Sequence, residues 1–519
     1  MPSLVQNAAW RFASTLALSA VSLVSVPVFA RILGLEQWGL LALFQAATAP
    51  LVLLDLGTRT AMVKYVAEAL GRGDRAEGTR TFQTTLIFNL ATGALGALAL
   101  VLAARWLASS VFAIAPGQQD RATAGFRLMG LNWFATALGT TLSGVLTAHG
   151  LYGRASRLRT LAGVGNGSAG ILAVLAGSGL LGVVLAQTAM NLVMAGLWFA
   201  AASQTLPGIR AIPRWDAGVF RRCLSFGSWQ ATAAAGGLLA GWSDRYILGA
   251  SLSAAAVGVY AIALSITGAA YGAFHDMGEV LFPAMSQSHG AGNLAEARRI
   301  SIHAGWALST AFAVVSAVIA VVGVDFISLW ISPEAARMGG PVLRLLCTAG
   351  TLGVAVTGPV FLCLGFGKTR LLALSSLLSG VTVLGLGVVL VRSLGLTGAG
   401  WAIIGGALAQ WAVLLEMTRT VYAPDVHLGE FALHIWTPSC AGVAILWALV
   451  KAHDALARPP SWPLLALETL LFTAVAAALQ LAANEALPGG SQRRKLLRAL
   501  LVPLGIKLGP GRRDGLSAE

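Results

Sequence analysis

Charge is scarce in this chain of 519 residues. Charged residues make up 11% of it and hydrophobic residues 56%, whereas soluble domains carry about 25% charged residues and under 50% apolar ones. That scarcity excludes a soluble globule, and the apolar abundance excludes a disordered chain. Cysteine is nearly absent. The four present (Cys223, Cys347, Cys363, Cys440) are scattered, with no C-x-x-C pair, so neither a disulfide framework nor a cysteine metal site is indicated. Aromatic residues reach only 8%, too few to single out a stacking platform. No Walker loop is present. The Gly-rich stretch "GVGNGSAG" (163–170) lies inside an apolar run and lacks the G-K-[ST] ending, which argues against phosphate cradling. Gly163 and Gly167 suit close helix contact instead. Acidic residues are outnumbered, 21 against 35 Lys+Arg, for a net charge of +14. A basic balance reads as nucleic-acid binding when a basic face accompanies stacking aromatics. Here the basic residues fill short gaps between apolar runs, the pattern that sets topology beside anionic lipids. No nucleic-acid partner is expected.

What is abundant is apolar runs of spanning length. A spanning helix needs about 20 mainly apolar residues, and fourteen segments qualify: 8–30, 37–58, 81–104, 124–148, 159–178, 180–201, 224–249, 254–283, 302–330, 341–365, 371–391, 397–420, 431–450 and 463–484. They are too long for barrel strands of about ten residues. An all-α integral membrane protein of about 14 transmembrane helices follows. With the N-terminus cytoplasmic, about 25 of the 35 basic residues fall on the inner side, which supports an even span count and both termini inside. Trp10, Trp38, Trp106, Trp198, Trp330 and Trp462 lie near predicted helix ends, as interfacial anchors do. The run ending in Val28-Phe29-Ala30 imitates a signal-peptide cleavage site, but it is long and preceded only by Arg11, so a retained first helix is expected.

The two halves echo each other. "RILG" (31–34) closes the first span and "RYILG" (245–249) the seventh. Gly39 opens the second in "QWGLLAL", and Gly258 the eighth in "AVGVYAI". "GRGDRAEGTR" (71–80) and "GAGNLAEARR" (290–299) then follow, so that Arg80 pairs with Arg299. Six spans separate the paired motifs, an even number, so both copies cross in the same sense. This is a parallel repeat of two six-helix lobes about a pseudo-two-fold axis along the membrane normal. The expected organisation is an N-terminal lobe (1–205), a cytoplasmic linker (206–222), a C-terminal lobe (223–421), an extra helix pair (422–486) and a basic cytoplasmic tail (487–519). The tail segment "QRRKLLRALLVPLGIKL" reads either as a surface-lying amphipathic stretch or as an inside-positive stop. The outer loops are short, so no catalytic domain outside the bilayer is available, and a carrier is expected in place of a bond-making enzyme.

The stretch "ARILGLEQWGLLALFQAATAPLVLLDLGTRTAMVKYVAEALGRGD" (30–74) resembles the N-terminal signature of the polysaccharide flippases, the O-antigen and exopolysaccharide translocases of the multidrug/oligosaccharidyl-lipid/polysaccharide exporter superfamily. "SDRYILGASLSAAAVGVYAIALSI" (243–266) resembles their second-half signature. The resemblance extends over the whole chain in span count and lobe arrangement. It implies a bacterial inner-membrane protein that moves undecaprenyl-pyrophosphate-linked oligosaccharide outward by alternating access, for O-antigen, capsule or exopolysaccharide. Lipid-linked oligosaccharide and membrane lipids are the implied partners, with the polymerase and chain-length machinery of the same assembly line. A cation-coupled multidrug exporter of the superfamily, which has 12 helices, a peptidoglycan-precursor flippase, and a membrane enzyme acting on the lipid-linked sugar are the alternatives.

An ionisable group inside a span costs roughly 2.5–3.5 kcal/mol at the centre, so each asks for a reason. His275, Asp276 and Glu279 cluster on one helix, with His275 and Glu279 four residues apart on one face. Asp55 sits at a comparable depth in the other half, with Arg59 four residues on. Facing a central cavity, these acids would form a proton- or cation-coupling set, since neighbouring like charges raise a carboxyl pKa. Otherwise Asp55–Arg59 is a local ion pair and the trio a hydrated loop surface. A pyrophosphate carries about two negative charges, and arginine pairs phosphate oxygens in two-point contact. The candidate cavity cations are Arg31, Arg245, Arg59 and Arg11, with snorkelling to headgroups as the alternative. No metal and no cofactor is expected beyond H+ or Na+ coupling.

Overall fold

The computed structural model describes residues 4–206, 214–279, 285, 288–289, 291–423, 426, 428–456 and 458–486. The side chains of a few helical residues, Arg11 and Glu279 among them, lie outside the description, as do residues 207–213 of the expected linker and the whole tail from 487. The described residues form helices and no strand. In chain order these are α1 (Leu4–Ile32), α2 (Leu35–Thr48), α3 (Thr58–Gly71), α4 (Arg75–Trp106), α5 (Gln119–Ala148), α6 (Tyr152–Leu175), α7 (Gly179–Thr205), α8 (Ala217–Ser251), α9 (Ala254–Glu279), α10 (Leu294–Trp330), α11 (Pro333–Val354), α12 (Thr357–Gly365), α13 (Thr369–Leu394), α14 (Leu396–Met417), α15 (Thr437–Asp454) and α16 (Trp462–Ala486).

Every expected run contains helix, but eleven helices among the described residues are long and apolar enough to cross a membrane. The chain is a multi-pass membrane protein; the count of fourteen is not reached on composition. The apolar part of α1 is shorter, Ala17–Ile32. Neither α5 nor α8 qualifies, and both are rich in Gly, Thr and Ser. Both line internal cavities, and a helix face turned away from lipid need not be apolar. α8 begins at Ala217, inside the segment expected as linker, because the Asp216 carboxylate caps it by accepting from the Val219 N–H at 3.0 Å.

Helices α1–α7 pack on one another, with α5 against α4 and α7, and α6 between α1 and α7. Helices α8–α14 form a second bundle around α8–α13–α14 and α9–α11–α10, and the pair α15–α16 leans on α10. The repeat read from the sequence has a physical counterpart. Gly73 and Gly292 both adopt left-handed backbone (φ 77° and 76°). One residue later Asp74 and Asn293 cap the next helix, accepting from the N–H of Glu77 and Glu296. The same turn chemistry thus starts α4 and α10.

The two bundles meet where α3 and α4 pack on α8, with Gly57 against the Gly227 backbone, and again where α2 crosses α9. Gly39 and Gly258, the glycines that open the paired spans, face each other there. A side chain at Gly39 would collide with the Ala254 carbonyl, and one at Gly258 with the Leu35 carbonyl. Glycine is required because the backbones touch. Hydrogen bonds seal this end: Trp38 Nε1 donates to the Gly258 carbonyl at 3.1 Å, Tyr246 Oη to Ala46 at 2.9 Å, Trp330 Nε1 to Leu23 at 3.2 Å, and the Ala113 N–H to Gly249 at 2.7 Å. Trp38 and Trp330, expected as interfacial anchors, bond between bundles.

Candidate functional site

The first cavity, about 530 Å³, lies in the first bundle and is bounded by α3, α5, α6 and α7. Its geometry begins with a broken helix. After α2 the chain tightens into a 3₁₀ turn (Ala49–Asp55) led by Pro50, then reverses hand at Leu56 (φ 49°) and Gly57 (φ 71°) before α3 starts. Leu56 is the one non-glycine with positive φ among the described residues, a conformation that costs roughly 1–2 kcal/mol. Asp55 holds the break. Its Oδ1 accepts from the Gly57 N–H at 2.7 Å, its Oδ2 from the Arg59 guanidinium at 2.7 Å, and its backbone carbonyl from Thr58 at 2.8 Å. The break thereby brings Arg59 to the cavity wall, where its Nε is buried without a hydrogen-bond partner.

Arg159, from α6, lines the same cavity. A hydroxyl stripe on α5 lines the cavity with the two arginines: Thr136, Thr140, Ser143 and Thr147, three or four residues apart. Each donates to a carbonyl of its own helix, at 2.8 to 3.2 Å. Their oxygens keep lone pairs free to accept from a ligand. Asn191 completes the polar wall, and Trp198, buried at 6%, forms part of the apolar one. Its place in the sequence near a span end suggests an interfacial anchor, but it is buried at this cavity instead.

The second cavity, about 500 Å³, lies in the second bundle among α8, α9, α10, α11, α13 and α14. Its acid is Asp244, only 4% exposed. Tyr260 Oη donates to Asp244 Oδ2 at 2.6 Å, and Arg245 lies 3.5 Å from Oδ1. Gly237 and Gly241 leave room on α8, while Tyr271, Phe312 and Ile319 supply apolar walls, and His275 and Gln410 line it as well.

The residues expected from sequence therefore divide. Arg59 and His275 line cavities, but two different ones. Asp55 pairs with Arg59 at the helix break. Arg31 donates to the Leu329 carbonyl at 2.7 Å, joining the bundles at the α2–α9 end. Arg245 donates to the Gly241 carbonyl at 2.6 Å and stacks on Trp242 at 4.3 Å. Asp276 is half-buried one residue past His275. The side chains of Arg11 and Glu279 lie outside the described residues.

A family model described as polysaccharide biosynthesis protein matches residues 4–289. The chain belongs to that family. Among solved structures it is similar to a multidrug resistance MATE family transporter of the MOP superfamily in an inward-facing conformation. That likeness has 16% identity, 79% of this chain and 98% of that one covered, and TM-score 0.67. It is similar to the lipid II flippase MurJ in an inward closed conformation, at 12% identity, 90% and 98% coverage and TM-score 0.67. A MOP superfamily transporter from Pyrococcus furiosus follows at 17% identity, 80% and 97% coverage and TM-score 0.55. At these identities the likeness shows the fold, an all-helical architecture like that of these transporters. No curated protein matches the chain.

Within this family fold, sequence reasoning missed Asp244 and Arg159. Asp244 stood inside an expected span, so the rule that intramembrane acids need a reason applied to it. Arg159 lies in a basic stretch on the expected inner side, and nothing local in the sequence distinguishes it from Arg154 and Arg157.

Proposed function

We propose that this protein flips undecaprenyl-pyrophosphate-linked oligosaccharide from the inner to the outer leaflet of a bacterial cytoplasmic membrane by alternating access, for surface polysaccharide assembly. The carrying observation is the pairing of Arg59 and Arg159 in one hydroxyl-lined cavity of about 530 Å³, a size that suits a small polar ligand. Guanidinium groups replace the water of a pyrophosphate, and the α5 oxygens accept from sugar hydroxyls, while the polyprenyl chain stays in lipid. Family membership supports the polysaccharide context. In that context the partners are the lipid-linked glycan, membrane lipids and the polymerase and chain-length machinery; the protein carries its substrate and makes no bond.

Coupling belongs to the second cavity in this reading. Asp244 and His275 there offer a site for a proton or sodium ion, with Asp276 and Glu279 on the adjoining turns of α9. An outward-moving anion also runs down an inside-negative potential, by about 2.3 kcal/mol per charge per 100 mV. With both termini cytoplasmic, as the basic-residue bias favours, the α2–α9 end faces outward and is sealed; loading from the inner leaflet then requires the contacts of α8 with α3 and α4 at the opposite end to part, among them the Arg222–Glu77 ion pair at 2.8 Å.

Two arginines in the cavity disfavour cationic drugs, so the multidrug reading ranks second. The test is complementation of a strain deleted for the gene. Each charge-assisted hydrogen bond is worth about 1.5–3 kcal/mol, so Arg59→Ala and Arg159→Ala should each lower the flipping rate roughly 10- to 150-fold, with lipid-linked repeat units accumulating on the inner leaflet. Normal surface glycan from the doubly substituted protein, accompanied by altered toxin sensitivity, would replace this reading with drug export.

A further inference from the structure

Three ligand-type side chains converge where the C-terminal helix pair meets the second bundle. Asp325 comes from α10, His453 from the last turn of α15, and Glu468 from α16. One ligand atom from each lies within 4.8 Å of the others. His453 Nε2 is 3.4 Å from Asp325 Oδ2 and 3.4 Å from Glu468 Oε2. We propose that these residues bind a divalent transition-metal ion of the zinc type, which clamps α15 and α16 onto α10. This inference is independent of what the protein transports.

The arrangement has a shortage that a cation resolves. Both carboxylates address the same imidazole nitrogen, which carries at most one hydrogen. Glu468 is buried, 6% exposed, and its hydrogen bond in the structure is this long one to His453. A buried carboxylate needs full compensation. A metal ion among the three atoms satisfies both carboxylates and takes the nitrogen lone pair. The spacing fits. Zinc binds histidine nitrogen and carboxylate oxygen at about 2.0–2.2 Å in tetrahedral geometry, and the ligand-to-ligand edge of such a tetrahedron is about 3.3–3.6 Å. Two of the three edges here are 3.4 Å, and water takes the fourth corner.

The surroundings extend the same logic. His453 Nδ1 is buried without a hydrogen-bond partner. With Nε2 on a metal, Nδ1 carries the proton and turns it toward Asp454 Oδ1, 3.9 Å away. Arg344 holds that carboxylate through two bonds of 2.6 and 2.8 Å. A carboxylate behind a metal-bound histidine is the usual orienting partner. Phe472 packs edge-on to the imidazole at 5.6 Å, within an apolar cluster that includes Leu449 and Leu465, which limits water around the ion. One imidazole and two carboxylates suit zinc and its first-row neighbours better than the all-oxygen cages of calcium.

The experiment uses the full-length protein in detergent, stripped with chelator, loaded with zinc chloride alone and desalted. Metal content is read by mass spectrometry and Tm by intrinsic fluorescence. One zinc per chain is expected, with a Tm rise that chelator reverses. In Glu468→Gln and Asp325→Asn, which preserve side-chain shape, zinc content should drop at least tenfold and the zinc-dependent Tm shift should vanish. His453→Gln should do the same. A wild-type chain that retains no zinc overturns the proposal, as does equal zinc retention by both carboxylate variants. Should one variant not fold, the other decides. A wild-type Tm indifferent to bound zinc overturns the clamp.

Discussion

Replacing Gly39 with valine tests whether the glycine pair seals the bundles together. The added Cβ would occupy the place of the Ala254 carbonyl on α9, and the Gly258 N also lies within 2.9 Å of it. Backbone cannot yield as a side-chain tip can, so α2 and α9 must separate. Overpacking of a tight contact costs typically 1–3 kcal/mol. Here that penalty falls only on the state in which the helices touch. At 1.4 kcal/mol per factor of ten, the population closed at this end should fall roughly 5- to 150-fold. Gly258→Val attacks the same contact from the other side, where a Cβ would meet the Leu35 carbonyl and sit 3.1 Å from the Gly39 N. The double variant should therefore cost much less than the sum of the singles. Spin labels at Ile32 and Met338, both exposed, in a background lacking the four native cysteines, report the separation of the bundles by pulsed electron resonance. The valine variants should shift weight to longer distances in proteoliposomes. A distance distribution identical to that of the parent, in a protein that folds, would refute the claim that backbone contact closes this end. Strict additivity of the two substitutions would refute it independently.

Substitutions at two further residues probe the cavities. Asp55→Ala removes the acceptor of the Gly57 N–H and leaves Arg59 without its carboxylate; a lost buried acceptor costs about 1–3 kcal/mol. Asp55→Asn keeps an acceptor oxygen and should cost about 0–1 kcal/mol, since solvent still reaches the ion pair, 28% and 21% exposed. Thermal unfolding in detergent ranks the two, and equal losses would show that Asp55 does not hold the helix break. Asp244→Asn preserves an acceptor for Tyr260 but removes the charge. It should leave Tm near the parent value and abolish the dependence of transport in proteoliposomes on an imposed proton or sodium gradient; retained gradient dependence would exclude Asp244 as the coupling site.

Much of the fold could be read from the chain because its solvent is lipid. Apolar runs of spanning length stand out wherever water is excluded, and each of the fourteen contains helix. The exceptions in composition, α5 and α8, are informative. Hydroxyls and glycines of α5 and glycines of α8 face cavities, so a reading that averages over all faces of a helix cannot separate them from weakly apolar spans. The repeat was legible because turns are local chemistry. Gly73–Asp74 and Gly292–Asn293 need left-handed glycine followed by a capping side chain wherever they occur, and that need is visible in a few consecutive residues.

The sites were less legible. Arg59 and Asp55 were four apart on one strand of text, so their pairing could be foreseen, but the reversal at Leu56–Gly57 that aims Arg59 into a cavity could not. Arg159 joins Arg59 from α6, and Asp244 on α8 shares a cavity with His275 on α9. His453, Asp325 and Glu468 come from three helices, and no spacing rule links residues so far apart.

The amino-acid sequence by itself determined that this is a multi-pass helical membrane protein with a parallel internal repeat, because length, polarity and turn chemistry are properties of short segments. Only the tertiary structure decided which polar residues meet: the Gly39–Gly258 seal, the Arg59–Arg159 cavity, the buried Asp244 and the Asp325–His453–Glu468 cluster. The rotation of each helix about its axis and the neighbour it packs against settle those contacts, and both are set by the fit of whole surfaces.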